Sequence, residues 1–133
     1  MSVKPIFFAL DGKHLDNFSR ELEILKGNIY GVKVGLEMFT SEGPSSVEKL
    51  KKDGWTVFLD LKLHDIPNTV QAAAISAGNI GADYLTIHIA SGKEALLAAK
   101  ESKSENLKLL GVSTALTSKA YSPEISQKVY EEF

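Results

Sequence analysis

Five strand-like runs, each followed by a helical pattern, predict an α/β fold of the (β/α)8 TIM-barrel class, with about five βα units present. The runs begin near residues 6, 29, 55, 84 and 107, so the unit recurs about every 25 residues, the period of a barrel rather than of a longer doubly wound unit. Alternation of strand and helix calls for right-handed crossovers and a parallel sheet. Polar residues close the runs: Asp11, Lys33, Asp60 and His88 stand at strand carboxyl ends, where such barrels place their active sites.

Ile6 to Leu10 is a short apolar run, consistent with a strand buried on both faces, and it stops at Asp11-Gly12. Leu15, Phe18, Leu22 and Leu25 then recur at helical spacing, with Gly27 placed as a C-terminal cap. Ile29 to Val34 is the second strand, and Gly43-Pro44 opens a helix through Val47 and Leu50 that Gly54 can close. The third strand, Trp55 to Asp60, is followed by Asn68 as N-cap of an alanine-rich helix reaching Gly78. Tyr84 to His88 is the fourth strand and Ser91 to Lys100 its helix, with Ala95, Leu96 and Ala99 toward the sheet. Leu107 to Val112 is the fifth, leading into a hydroxyl-rich loop of Ser113, Thr114, Thr117 and Ser118. From Ser122-Pro123-Glu124 onward, Ile125, Val129 and Phe133 form the apolar stripe of one more helix. Five units do not close a barrel of eight, so residues 1–133 are expected to be a single domain that is the N-terminal portion of one.

Composition narrows the function. With 15 basic and 17 acidic residues the net charge is −2, which gives no broad field for nucleic acid or a membrane surface. The chain has no cysteine, so disulfides, thiolate metal sites and cysteine nucleophiles are excluded. The N-terminal run is too short for a signal-peptide core or a membrane span, and a soluble cytoplasmic protein is expected. No G-x-G-x-x-G follows a strand, no Walker motif is present, and the histidines lack a zinc spacing.

The stretch Phe58-Leu59-Asp60-Leu61-Lys62-Leu63-His64-Asp65-Ile66-Pro67-Asn68-Thr69 carries the chemistry. On a strand, residues two apart share a face, so Asp60 and Lys62 should point the same way, with Asp65 following within one turn. Two carboxylates around one ammonium favour ionisation of all three groups. Such a lysine is a proton donor. A Schiff-base lysine needs an apolar or cationic setting that lowers its pKa, so the spacing argues against an imine-forming aldolase.

Asp60-x-Lys62-x-x-Asp65-Ile66-Pro67-Asn68-Thr69 resembles the signature of the orotidine 5′-phosphate decarboxylases, supported by Ala9-Leu10-Asp11, Val32-Lys33-Val34-Gly35, His88 and Leu116-Thr117-Ser118 in the family's order. The resemblance implies conversion of orotidine 5′-phosphate to UMP and carbon dioxide in pyrimidine biosynthesis, without metal or cofactor. It implies Lys62 as proton donor to C6 of the pyrimidine and Asp60 beside the substrate carboxylate. Lys33 would be the second cation of the network, and Asp11 would hold the ribose. Asp65, Ile66 and Thr69 would reach the neighbouring subunit's site, which implies a homodimer, and Thr117 and Ser118 would meet the pyrimidine edge.

Each residue also has an ordinary reading. Charged clusters at strand ends are often solvated, Lys33 resembles a surface lysine, Asp11 a turn former, and His88 a structural histidine. A metal site built from Asp60, His64, Asp65 and His88 is opposed by Lys62, whose charge would repel the ion. Hexulose-phosphate synthases and keto-gulonate phosphate decarboxylases share the Asp-x-Lys-x-x-Asp core but use magnesium; the Ile66-Pro67-Asn68-Thr69 continuation favours the metal-free enzyme. A non-catalytic truncated barrel fragment is the alternative of another class.

Overall fold

A computed structural model describes residues 2–113. Its sheet has five strands in the order β1-β2-β3-β4-β5, every neighbouring pair parallel. The strands are β1 (Lys4–Leu10), β2 (Ile29–Gly35), β3 (Val57–Leu63), β4 (Tyr84–His88) and β5 (Lys108–Val112). The helices are α1 (Ser19–Leu25), α2 (Leu36–Glu42), α3 (Pro44–Lys52), α4 (Pro67–Asn79) and α5 (Lys93–Ser102). Sequential order with a helix in every crossover is the first part of a (β/α) barrel, as the repeat predicts.

Alternation along each strand separates two chemistries. Val32, Val34, Val57, Leu59, Leu85 and Ile87 are buried and form the core with Met38, Val47, Leu50, Val70, Ala74, Ala95 and Ala99 of the helices. On the opposite face, Phe7, Phe58 and Tyr84 meet edge to face or tilted, with Tyr30 beside them, and above them the strands turn polar. Gly31 permits this packing, since a Cβ there would lie 2.5 Å from the Thr56 carbonyl and 2.7 Å from the Phe7 ring.

The helices that the spacing predicts are present, with local differences. The first segment begins as a 3-10 turn (Leu15–Phe18) before α1, and Leu15 is its buried anchor. Asn68 is not the N-cap of α4: Ile66 holds that place and Pro67 is the first helical residue, where its fixed φ and missing N–H cost nothing. The helix after β4 starts at Lys93, behind a 3-10 turn over Ile89–Ser91. An additional short helix, α2, lies between β2 and α3; two turns are too few for a clear period, and Met38 is its single buried residue. Gly43, at φ 67, makes the joint between α2 and α3. The third strand runs on to Leu63 instead of ending at Asp60. Thr114, Thr117, Ser118 and the expected helix from Ser122 lie outside the described residues. Among the described residues no helix is long and apolar enough to cross a membrane.

Candidate active site

At the carboxyl ends of β1 to β4 the polar face carries one connected network. Asp60 is its centre: it is 8% exposed, and a buried carboxylate must be fully partnered to stay charged. Its Oδ2 accepts from Lys62 Nζ at 2.8 Å and from Lys33 Nζ at 3.5 Å. Its Oδ1 accepts from the Thr86 hydroxyl at 2.8 Å. Lys33 Nζ also reaches Asp11 Oδ1 at 3.4 Å. Burial pushes the Asp60 carboxyl up, but the hydrogen bonds from Lys62 and Thr86 and the charges of Lys62 and Lys33 more than offset it, so its pKa lies below the ordinary carboxylate value.

Exposure divides the network into anchor and working ends. The Asp60 side chain is 11% exposed, that of Lys62 42% and that of Asp11 73%. Asp60 is therefore a fixed negative charge under the site, while the Lys62 ammonium and the Asp11 carboxylate face open space.

Asp60 and Lys62 do share a face, but not by regular alternation. The β3–β4 register shifts between Leu59, opposite Leu85, and Leu63, opposite Ile87, so β3 carries a bulge at the network. Lys62 has φ 48, alone among the described non-glycine residues in being left-handed, a conformation that costs on the order of 1–3 kcal/mol. Its N–H is bound by Thr86 Oγ1 at 2.9 Å.

Asp65 does not join Lys62 within the chain. No salt bridge links them, and Asp65 Oδ1 instead accepts from the Ile66 N–H at 2.7 Å. The expected pair of carboxylates around one ammonium is thus, in the single chain, one carboxylate between two ammonium groups. Asp65, Ile66 and Thr69 are all exposed at the start of α4, with Ile66 66% exposed. His88, at the end of β4, faces His64 with ring centroids 5.4 Å apart. Its pKa is lowered by burial, then by the neighbouring His64 and Lys62 charges. Thr86 escaped the sequence reading; the available signal was one hydroxyl in the apolar run Leu85-Thr86-Ile87, two residues before His88 and so on the same face. Among the described residues, no three His, Asp or Glu side chains converge as a metal cage.

Parallel strands in barrel order, with an Asp–Lys network built on the buried Asp60 at their carboxyl ends, define a (β/α)-barrel protein with a cluster of fixed charges where such barrels place their sites. Comparison with known proteins makes this specific. Residues 4–129 match the model of the orotidine 5′-phosphate decarboxylase / HUMPS family, and the chain belongs to that family. It is 44% identical over 99 residues to the orotidine 5′-phosphate decarboxylase of Halalkalibacterium halodurans, a match covering 74% of this chain and 42% of that protein. Its fold is similar to the crystal structure of orotidine 5′-phosphate decarboxylase from Lactobacillus acidophilus, with TM-score 0.75 and 34% identity over 86% of this chain and 54% of that one. The corresponding structure from Pyrococcus horikoshii OT3 gives TM-score 0.80 and 25% identity over 94% of this chain and 60% of that one. The chain thus spans about half the length of the relatives it matches.

Proposed function

We propose that residues 1–133 are the N-terminal portion of a decarboxylase that converts orotidine 5′-phosphate to UMP and carbon dioxide in the cytoplasm, and that they supply its charged centre. The observation that carries this reading is Asp60 held between Lys62 and Lys33, with the Lys62 ammonium presented outward. In the reaction the bond between C6 and the carboxylate carbon breaks, carbon dioxide leaves, and the electron pair stays on C6. The Lys62 ammonium stabilises that developing charge and then gives C6 a proton, and solvent returns one to the amine. A substrate carboxylate placed at about 4 Å from Asp60 would be repelled by about 4 kcal/mol at an effective dielectric of 20, a repulsion that ends as carbon dioxide departs. Asp11 suits the ribose hydroxyls as an exposed acceptor, and Thr117 and Ser118 are assigned to the pyrimidine edge by the family resemblance.

The donor set supports a metal-free site. Asp60 Oδ2 is already shared by two ammonium groups and Oδ1 accepts from Thr86, so a cation at this carboxylate would sit beside the Lys62 and Lys33 charges and be repelled by both. The test uses the completed chain, in which this sequence is joined to the C-terminal part of the Halalkalibacterium halodurans relative. It should release labelled carbon dioxide from orotidine 5′-phosphate at the same rate with and without a chelator. A rate that needs added magnesium would move the chain to the synthase branch of its family.

Exposure of Asp65, Ile66 and Thr69 supports a site completed across a homodimer. Completed subunits carrying Lys62→Ala, inactive alone, are expected to regain activity when mixed with inactive subunits carrying Asp65→Ala. A hybrid dimer then contains one site with both groups intact. Absence of recovery after verified subunit exchange would show that Asp65 acts within its own subunit or not at all.

A further inference from the structure

Thr86 sits on β4 at 5% exposure, and its hydroxyl joins the two residues on which the chemistry depends. The direction of both hydrogen bonds follows from the donors available. A backbone N–H can only donate, so the Lys62 amide takes a lone pair of Thr86 Oγ1, and the hydroxyl proton is left for Asp60 Oδ1. The other Asp60 oxygen faces Lys62 Nζ at 2.8 Å and Lys33 Nζ at 3.5 Å. Each Asp60 oxygen thus accepts at least one hydrogen bond, an arrangement that favours the carboxylate.

The same hydroxyl holds the backbone. Between Leu59 and Leu63 the β3 chain advances four residues while its partner advances two, from Leu85 to Ile87, and Thr86 is the residue in between. The Lys62 N–H therefore meets the Thr86 side chain in place of a ladder carbonyl, and Lys62 adopts its left-handed conformation at that point. We propose that Thr86 is a positioning residue of this site: its hydroxyl clamps the bulged Lys62 backbone and the Asp60 carboxylate to each other, which fixes where the ammonium is presented. The kinetic consequence rests on the decarboxylase reading; the clamp itself does not.

Three measurements on the completed chain test it, using Thr86→Val, which keeps the shape and loses the hydroxyl, and Thr86→Ser, which keeps the hydroxyl. The charges around Asp60, namely Lys33, Lys62 and Asp11, with His64 and His88 beyond, are unchanged in both. First, the wild-type Lys62 amide should exchange with solvent as slowly as the ladder amides of β3 and β4, and in Thr86→Val it alone should become fast. Second, the Asp60 carboxyl followed by carbon-13 NMR should titrate about one pH unit higher in Thr86→Val than in wild type and be little changed in Thr86→Ser. Third, Thr86→Val should lower kcat about a hundredfold with KM nearly constant, and Thr86→Ser should restore most of it. A fast Lys62 amide in the wild type would overturn the proposal even if Thr86→Val failed to fold. So would a Thr86→Val chain with wild-type titration and kcat, or a Thr86→Ser chain as impaired as Thr86→Val. If the wild-type completed chain released no carbon dioxide, the decarboxylase reading would fall, while exchange and titration would still decide on Thr86.

Discussion

Replacing Lys62 by alanine in the completed chain is expected to lower kcat by on the order of ten-thousandfold or more, because in the proposed reaction one group supplies both the proton and the charge stabilisation at C6. Among the described residues no second acid stands in its place. Lys33, the other ammonium of the network, bridges Asp60 and Asp11 at 3.5 and 3.4 Å and has a side chain 24% exposed against 42% for Lys62. Its position is that of a counter-ion between two carboxylates. UMP and similar product-like ligands should still bind to Lys62→Ala, since the proposed ribose contact is made by Asp11 and the phosphate is expected to be held by the later loops of the barrel. Asp60 would keep Lys33 and the Thr86 hydroxyl as partners, so the sheet should survive. The check is a pair of measurements on one preparation: turnover of orotidine 5′-phosphate and calorimetric binding of UMP. Retention of a tenth of normal turnover would remove Lys62 from its role, and loss of UMP binding together with turnover would point to a damaged fold.

The second expectation concerns the chain by itself: residues 1–133 alone should show no measurable decarboxylation, although they hold the charged network. In barrels of this class the phosphate is gripped by the loops after strands seven and eight together with a short helix N-terminus. Binding energy from that remote group positions the reacting centre, so without it kcat falls as well as affinity. The described sheet has the matching physical signature. Among the described residues, strands β1 and β5 are each paired on one side only, which leaves one hydrogen-bonding edge of each without a described partner. Apolar grooves lie beside both: among the described residues, Ile6, Phe8, Leu25 and Ile29 line one next to β1, and Leu96, Leu109 and Leu110 line one next to β5. Ile6 is 49% exposed and Leu110 38%. Such edges and faces favour aggregation or pairing with a complementing half. Carbon dioxide release should be absent from the purified chain and appear when the C-terminal part of the relative is added. Clear turnover by the unaided chain would show that the further strands are dispensable.

Much of the molecule was legible in the sequence because its main signals are local. Apolar runs bounded by Gly, Pro and charged residues marked five strands, and the stripes Leu15-Phe18-Leu22-Leu25 and Val47-Leu50 marked helices, since side-chain period and chain length alone produce those patterns. The Asp60-x-Lys62 spacing likewise placed both residues at one strand end, where they are in contact, although a bulge and not regular alternation brings them to one face. What the sequence could not hold is whatever depends on the register of one strand against another. One partner of Asp60 is Thr86, 26 residues away, and only the parallel pairing of β3 with β4 brings that hydroxyl to the carboxylate. The bulge at Lys62 is a mismatch between two strands, so neither strand's own pattern reveals it, and the left-handed lysine is tolerated because Thr86 binds its N–H. Asp65 shows the opposite case: five residues from Asp60, it belongs to the same motif, yet the chain turns into α4 there and its carboxylate binds the Ile66 N–H instead of Lys62. Local pattern thus determined the strands, the helices and the charges available to the site, whereas tertiary register decided which of those charges touch, because hydrogen bonds and ion pairs act over a few ångströms and only the folded sheet sets distances on that scale.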